Sequence, residues 1–496
     1  MKQGASEGQN FSTMLLALLL CVGLDSACAS PLIFKDATLI DGTGTKPRTA
    51  TVVIDSQQIK SIDRKFIADD FDADATIIDA RGKYLLPGFI DSNVHASIYG
   101  NSKRRETVVK YAGRIEDLVR EFVQRQLKHG VTTIRDSYGA LEPLMKVRDE
   151  IARGEVIGPR MLVAGNIVGW GGPFSMTFSL MQESELTLFQ QKWNDYIAQG
   201  VGEELMDMEP AELRIAIDRY IDKGPDFIKF GGTSHFGFPS LIGFSPRTQK
   251  VIVDASHARD LIAETHATSP EGLRMALKAG IDLVQHPEIL SRDYSDELLN
   301  LLISKKAICG IRSNTLTGEP WQAHLKNRSA AKKAIAKLPP AKTSAERRAR
   351  DKQLETAYAI ERRNAERLIK AGCTVTIATD NYQGRAPEFR KEDKPIIQEA
   401  GIGSVLAIEG LVELGMNEMQ ALVAATRNGA MAAGALDSYG TIEVGKSVDL
   451  VLLNANPLKD ISNIRKLHAV VARGKVIDTT SLPEQRIFDT SPVDAP

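Results

Sequence analysis

The sequence has little of what marks several large classes of protein. It has 62 Lys and Arg against 63 Asp and Glu, a formal net charge of −1, with no long block of one sign. This balance excludes a strongly basic nucleic-acid-binding protein and an acidic tail protein. Four cysteines in 496 residues are too few for a disulfide scaffold. The hydrophobic fraction of 43% is ordinary and excludes wholesale disorder.

Apolar runs long enough to span a membrane are missing as well. One stretch stands out, residues 14–24, but it has only eleven residues, whereas a bilayer needs about 20. Ala27, Cys28 and Ala29 follow it with the small-residue spacing of a cleavage site. We therefore predict a signal peptide over residues 1–29, with a disordered N-terminus as the alternative. Cleavage implies an exported protein, periplasmic or secreted, whose mature form has no membrane contact.

Two of the four cysteines would leave with this segment. Cys309 and Cys373 remain, and each lies in an apolar, strand-like run. We therefore expect two buried thiols rather than a disulfide bond.

Short alternating segments at both ends of the chain have the pattern of β-strands. Runs near the N-terminal end are interrupted by turns at residues 41–44 and 81–82, and matching runs lie between residues 448 and 477. We predict one small β-sandwich that is built from residues 30–86 and 437–480, followed by a tail over residues 481–496.

Between these ends, helix-like and strand-like segments alternate. Residues 114–129 carry apolar side chains at helical spacing, Gly130 can end that helix, and an apolar strand follows. Eight candidate strands begin near residues 85, 131, 160, 226, 261, 281, 307 and 374. This α/β order predicts a (β/α)8 TIM barrel over residues 87–436. A basic insertion at residues 326–367 is most simply a solvated face; a lid is the alternative.

Polar residues follow five of the eight strands. In a barrel enzyme the reacting groups lie at the C-terminal ends of the strands, and this is where His95, Lys229, His266, His286 and Asp380 occur. Imidazole and carboxylate are zinc-type ligands. Each residue alone has a structural explanation, such as a cap at a strand end. Together they predict a metal site at one mouth of the barrel.

The chain resembles the metal-dependent amidohydrolase superfamily in its imidazolonepropionase-like branch. The resemblance covers nearly the whole mature chain and indicates the superfamily rather than a substrate. It rests on ATLIDGTG at residues 37–44, LLPGFIDSNVH at 85–95, GVTTIRD at 130–136, GPRML at 158–162, FIKF at 227–230, AGIDLVQH at 279–286, ATD at 378–380 and the segment from 425 to 458.

The resemblance implies that the five strand-end residues bind Zn²⁺ or another divalent metal, as one ion or two. In related enzymes the lysine is carboxylated and bridges two metals, which requires the neutral amine that burial favours. The family usually has His-x-His after the first strand, whereas this chain has Asn93-Val94-His95. An amide oxygen is a weaker zinc ligand than imidazole. With Asn93 as a weak ligand, a single metal or a weak second metal is expected.

The Asn-x-His variant resembles the subgroup that contains the phenylurea hydrolases and molinate hydrolase. It implies that metal-activated water hydrolyses a C–N bond in an amide, urea or carbamate of a small molecule. Asp380 would move the proton, and His286 or His266 would stabilise the oxyanion. A dipeptidase or N-acyl amino acid hydrolase is the main alternative. The alternative from another class is a catalytically decayed binding protein on the same fold.

Substrate contacts are expected from the loops after the strands. Trp170 would pack on an apolar or aromatic group, unless it only packs its own loop, and His235 would overhang the mouth. Arg312 and Asn314 follow the seventh strand, where Arg312 could bind a carboxylate and so favour the dipeptidase alternative. The predicted partner is a small molecule and not a nucleic acid, and association into a homo-oligomer is left open.

Overall fold

The structure is a computed structural model, and it describes residues 30–63, 75–99, 108–109, 111–179, 181–234, 240–289, 292–354, 356–383, 396–485 and 487. The predicted signal peptide, His235 and most of the predicted tail lie outside these residues. Among the helices that the structure describes, none combines the length and the hydropathy needed to cross a bilayer.

The described strands alternate with helices along most of the chain. The strands are β1 (Leu32–Leu39), β2 (Arg48–Asp55), β3 (Gln58–Asp63), β4 (Thr76–Asp79), β5 (Tyr84–Pro87), β6 (Phe89–Tyr99), β7 (Val131–Asp136), β8 (Arg160–Val163), β9 (Ile228–Gly231), β10 (Ala263–His266), β11 (Leu283–Gln285), β12 (Ile308–Ile311), β13 (Val375–Ile377), β14 (Asn381–Gln383), β15 (Leu450–Leu453), β16 (Leu467–Ala472) and β17 (Lys475–Ile477).

The described α-helices lie mainly between the strands of the middle region. They are α1 (Ile115–Lys128), α2 (Leu141–Arg153), α3 (Met176–Ser179), α4 (Leu188–Ala198), α5 (Pro210–Ile221), α6 (Pro246–His257), α7 (Pro270–Ala279), α8 (Asp296–Lys305), α9 (Ser313–Leu316), α10 (Gly318–Ala336), α11 (Ser344–Leu354), α12 (Ala357–Lys370), α13 (Ile402–Glu413), α14 (Glu418–Ala424) and α15 (Arg427–Ala432). Short 3₁₀ helices occur at Glu183–Glu185, Glu203–Asp207, Ile396–Gln398 and Ile461–Arg465.

One sheet is formed from both ends of the chain. Its strand order is β17-β16-β15-β5-β1-β2-β3, with β4 beside β1. The two ends meet where β15 pairs antiparallel with β5, for example Leu452 opposite Leu85. Both residues belong to an apolar cluster that also contains Phe34 and Val52. The predicted union of the two ends is thus seen as a shared sheet, and the facing layer of a sandwich stays a prediction.

The middle of the chain forms two parallel sheets. Their orders are β14-β6-β7-β8 and β13-β12-β11-β10-β9. Strands β7, β9 and β12 are short and wholly buried, as expected for parallel strands that helices cover. Helix α1 shows the covering pattern: Leu118 and Phe122, one turn apart, are both buried. The predicted α/β class is confirmed.

Backbone contacts connect the edges of these two sheets. On one side Val168 N donates to Lys229 O at 2.8 Å, and Gly231 N donates to Val168 O at 3.0 Å. On the other side Asp380 N donates to Asn93 O at 2.9 Å, where the chain leaves β13 to pair with β6. The C-terminal ends of the parallel strands are thereby brought to a common region.

Two sequence predictions need correction in detail. The predicted first strand is divided at Gly88: β5 joins the terminal sheet and β6 joins the parallel sheet. A Cβ at Gly88 would lie 2.0 Å from Thr132 Oγ1, so only glycine fits at this crossing. The basic insertion is also not uniformly solvated. Helix α10 has no buried residues, whereas α12 buries several, including Asn364 and Leu368.

The prediction of two free thiols is wrong. Cys309 and Cys373 form a disulfide bond with a Cα–Cα distance of 6.4 Å. Strand β12 pairs with β13, which places Cys309 opposite Val375 and so beside the residues that precede β13. The two apolar runs gave no information on this adjacency. The bond closes a loop that contains α9 to α12.

We predict that the double variant Cys309→Ala/Cys373→Ala unfolds at lower denaturant concentration. The bonded cysteines are 64 residues apart, and a loop of that length gives a loss of roughly 4 kcal/mol in the free energy of unfolding. Urea titrations with and without reductant would measure it. Reductant should lower the midpoint of the wild type and leave the double variant unchanged; an unchanged wild-type midpoint would contradict the role of the bond.

Candidate active site

The ends of the parallel strands position the predicted site residues. Asn93 and His95 lie on β6, Lys229 on β9 and His266 at the end of β10. His286 directly follows β11 and has φ +57°, and Asp380 lies just beyond β13 with φ +60°. A left-handed backbone at a non-glycine residue costs about 1–3 kcal/mol, and such residues are concentrated at functional sites.

The carboxylate of Asp380 is the meeting point of the site. Its Oδ1 lies 2.9 Å from His95 Nε2 and 3.7 Å from His286 Nε2. Asn93 Nδ2 donates to the same oxygen at 3.3 Å. The ring of His266 is 5.2 Å from that of His286, centroid to centroid. Side chains on β6 and just after β11 therefore contact this carboxylate, and His266 lies next to His286.

Burial controls the charge of these groups. It acts to raise the pKa of Asp380, but the neighbouring His286, His95 and Arg312 hold that pKa well below the usual value. Burial also lowers the pKa of His286 well below 6.5. At neutral pH the site therefore contains an ionised carboxylate beside a neutral imidazole. These are the forms that bind metal ions.

Lys229 lies in a buried network of charges. It is 2% exposed, and its Nζ is 3.9 Å from Glu264 Oε1. Arg135, which is fully buried, lies closer to Glu264, with Nη1 2.8 Å from Oε2. Burial is the main reason that the pKa of Lys229 is lowered, although Glu264 and Asp380 oppose the shift. The stronger partner of Glu264 is thus Arg135 and not Lys229.

The donor set fits a divalent metal ion. Asn93 Oδ1, His95 Nδ1 and His286 Nδ1 are buried without a hydrogen-bond partner. Two ligands of a tetrahedral zinc ion lie about 3.3 Å apart, and the two imidazole–carboxylate distances of 2.9 and 3.7 Å bracket that separation. Within the described part of the chain, no three His, Cys, Asp or Glu side chains are arranged to hold an ion. The residue types therefore fit a divalent ion in their chemistry, and two imidazoles lie within 4 Å of the Asp380 carboxylate.

Two buried aspartates near the site were not predicted as site residues. Asp91 accepts hydrogen bonds from Thr379 Oγ1 and Ser404 Oγ, both at 2.6 Å, and so ties β6 to the end of β13. Asp136 accepts from Ala96 N at 2.6 Å, next to His95. Burial raises the pKa of Asp91 to about 6 and that of Asp136 to about 7. Asp91 follows the apolar run at residues 85–90, and Asp136 ends the run at residues 130–136. Their positions at strand ends could have marked both as candidate site residues.

Aromatic side chains form one wall beside the imidazoles. The ring of Trp170 is 5.3 Å from His266 and 6.2 Å from Phe178. Tyr138 lies 5.1 Å from Phe178 and 6.2 Å from His95. Trp170 and Tyr138 are buried, and Phe178 is partly exposed. Trp170 thus lies where it was predicted to meet a substrate, and it also packs within its own loop.

The other predicted substrate contacts differ in their surroundings. Asn314 Nδ2 donates to the backbone oxygens of Thr379 and Ile397, so its position favours a structural role. Arg312 contacts the carboxylates of Glu288 and Glu361, which sequence reasoning missed. His235 lies outside the described residues.

Comparison with known proteins identifies the family. The sequence profile of the amidohydrolase family matches residues 84–477. The chain belongs to the amidohydrolase family. The predicted superfamily, branch and enzyme class are thereby confirmed.

The relatives come from the predicted branch. Ochratoxinase of Aspergillus niger is 25% identical over 89% of this chain and 85% of its own. Imidazolonepropionase of Geobacillus sp. (strain WCH70) is 25% identical over 82% of this chain and 83% of its own. The solved structure of molinate hydrolase has a TM-score of 0.80 and 28% identity, covering 94% of this chain and 98% of that one. The solved structure of phenylurea hydrolase B has a TM-score of 0.80 and 26% identity, covering 93% of this chain and 100% of that one.

We predict that Glu361 makes stability fall as pH rises through neutrality. Burial raises the pKa of Glu361 from 4.5 to about 7. Between these values the folded state keeps a proton that the unfolded chain has released, so folding is favoured on the acidic side and loses up to ~3 kcal/mol toward pH 8. Urea titrations from pH 4 to 8 should show a weaker decline in Glu361→Gln than in the wild type. If the free energy of unfolding fell equally with pH in both proteins, Glu361 would not be the source of the pH dependence.

Proposed function

We propose that this protein is a metal-dependent hydrolase that cleaves a C–N bond of an amide, urea or carbamate in a small molecule. The observation that carries the proposal is the ionised Asp380 carboxylate in contact with His95 and His286. Family membership supplies the chemistry class, and two of the solved structures compared above are a molinate hydrolase and a phenylurea hydrolase.

We infer that the two parallel sheets form one (β/α)8 barrel. The hydrogen bonds at Val168 and at Asp380, which link the sheets on both sides, support this closure. The terminal sheet would then be one layer of the predicted sandwich. In this architecture His95, Lys229, His266, His286 and Asp380 lie at a single mouth.

A single divalent ion, zinc or a similar metal, is proposed for that mouth. His95, His266, His286 and Asp380 would hold it, with Asn93 as a weak ligand and Lys229, carboxylated or free, close by. Asn93 supports one strong metal position rather than two, because its amide oxygen replaces an imidazole. When bound, the ion would acidify a water molecule and polarise the substrate carbonyl.

The residues of the chain then carry the proton and the charge. Asp380 is ionised at neutral pH and would take the proton of the attacking water. It would deliver that proton to the leaving nitrogen as the C–N bond breaks, so that one acid and one amine are formed. If the ion is held by the other ligands, His286, which is neutral because it is buried, would instead donate a hydrogen bond to the developing oxyanion.

The substrate side of the site favours an apolar or aromatic group. Trp170, Phe178 and Tyr138 lie along the imidazoles, and such faces stack on rings. Phenylurea hydrolase B is named for an aryl compound. We therefore propose an aryl-bearing or similarly apolar small molecule.

Export of the protein is proposed on two observations. The N-terminal sequence has the pattern of a signal peptide. The Cys309–Cys373 bond is of the kind that persists in oxidising compartments such as the periplasm or the extracellular space. Assembly into a homo-oligomer stays a prediction of the sequence.

We predict that Asp380→Asn lowers kcat by about 10³-fold on any substrate of the wild type, because the amide cannot accept the water proton. Assays with aryl ureas, carbamates and N-acyl amines, run beside elemental analysis of both proteins, would measure it. Retained metal with lost turnover is the expected result. A variant that turns over at the wild-type rate would remove Asp380 from the mechanism.

We predict that Phe178→Ala raises KM for aryl substrates about tenfold, because it removes an aromatic contact at the open side of the wall. The matched control is Phe189→Ala, since Phe189 is 39% exposed and stacks on Trp193 at 5.9 Å on α4. Steady-state kinetics of both variants would be measured on an aryl amide and on an alkyl amide. Only Phe178→Ala should raise KM, and only for the aryl amide. Equal losses for both amides would argue against an aryl-binding wall.

A further inference from the structure

Arg312 lies at the mouth beside the reacting groups. It directly follows β12, and its charge acts on both Asp380 and His286. Its side chain is 23% exposed. On sequence alone this arginine is a candidate receptor for a substrate carboxylate.

The guanidinium already has two carboxylate partners. Arg312 Nε lies 3.3 Å from Glu288 Oε1, and Nη2 lies 3.4 Å from Glu361 Oε1. Glu288 is 1% exposed and Glu361 is 13% exposed, so water screens both contacts poorly. Glu288 Oε1 also accepts a hydrogen bond from the Arg312 backbone N at 3.2 Å.

Glu361 is held in place by the helix that carries it. Three residues further along α12, on the same face, Asn364 Nδ2 donates to Ile289 O at 2.7 Å and Arg292 O at 2.9 Å. One turn before Glu361, the hydroxyl of Tyr358 donates to Thr315 O at 2.5 Å. Helix α12 is thereby fixed both to the loop after β11 and to α9, and the Glu361 contact is preorganised.

The balance of charge at this wall disfavours an anion. Burial raises the pKa of Glu361 to about 7, so near neutrality Glu361 is ionised in part of the molecules. The carboxyl group of Glu288 also lies beside the guanidinium, 3.3 Å from its Nε. A substrate carboxylate would have to displace one of these groups or accept its repulsion, which water screens only weakly at this site.

We propose that Glu361, together with Glu288, makes Arg312 an internal counter-ion and so excludes substrates that carry a carboxylate at this wall. The site then selects neutral acyl compounds and rejects N-acyl amino acids and dipeptides. This inference rests on the proposed function, since it concerns the substrate of the same site. Glu361 is thus a specificity determinant supplied by the insertion between β12 and β13.

The test compares N-benzoylglycine with N-benzoylglycinamide, which differ only in the terminal carboxylate. Binding to the full-length mature protein is measured by calorimetry, so that turnover is not required. The wild type should bind the amide more tightly. Glu361→Gln, which keeps the shape and removes the charge, should shift the affinity ratio toward the acid by about tenfold.

Two further variants serve as controls. Glu366→Gln removes the same charge from the same helix, but Glu366 pairs with Arg362 and is 43% exposed, so the ratio should not change. Arg312→Met in the Glu361→Gln background should abolish the gain, because the cation that binds the acid is then lost.

Binding of the acid by the wild type at least as tightly as the amide would overturn the inference, and so would an unchanged ratio in Glu361→Gln. Failure of the proposed function would show differently. In that case the affinity ratio would shift as expected, while the metal-loaded wild type would hydrolyse neither the aryl amides nor the ureas and carbamates.

Discussion

The contact of the Asp380 carboxylate with the imidazoles of His95 and His286 is the interaction on which the site depends. A carboxylate in this position needs partners, because an ion in a poorly solvated interior is costly unless it is paired. Both Asp380 and His286 adopt left-handed backbone conformations just beyond their strands. The surrounding structure stabilises this geometry: Asp91 binds Thr379 and Ser404, so the residue before Asp380 is tied to β6. Left-handed backbone and ionised groups thus occur together at the proposed site.

The interior beneath and beside the site is organised by pairing of charges. Arg135 forms the shorter ion pair with Glu264. Lys229 is also buried, and its contact with the same carboxylate is longer, at 3.9 Å. Such an amine is biased toward its neutral form, the form that a carboxylated or metal-binding lysine needs. At the mouth, Glu288 and Glu361 match Arg312 in a similar way. Paired charges therefore occur twice, and we propose that they prepare the metal-binding groups in one place and limit the charge of the substrate in the other.

Much of this arrangement was predictable because strand ends can be read from the sequence. Each of the five predicted metal-site residues directly follows or ends an apolar run, and parallel strands bring such ends together. Other features depend on adjacency between distant segments. The Cys309–Cys373 bond requires that β12 and β13 be neighbours, and Glu361 comes from an insertion helix whose docking no local pattern reports. The division at Gly88 was missed because LLPGFI is a continuous apolar run, although the chain changes sheets within it. Asp136 followed the strand-end rule and could have been found.

Elemental analysis of the purified mature protein tests the central claim most directly. The account predicts about one divalent ion per chain, loss of hydrolysis when a chelator removes it, and recovery when zinc or a similar ion is returned. Because Asn93 replaces the usual imidazole, a second equivalent should bind weakly or not at all. A protein that contains no metal and hydrolyses its substrate equally well with and without chelator would contradict the account.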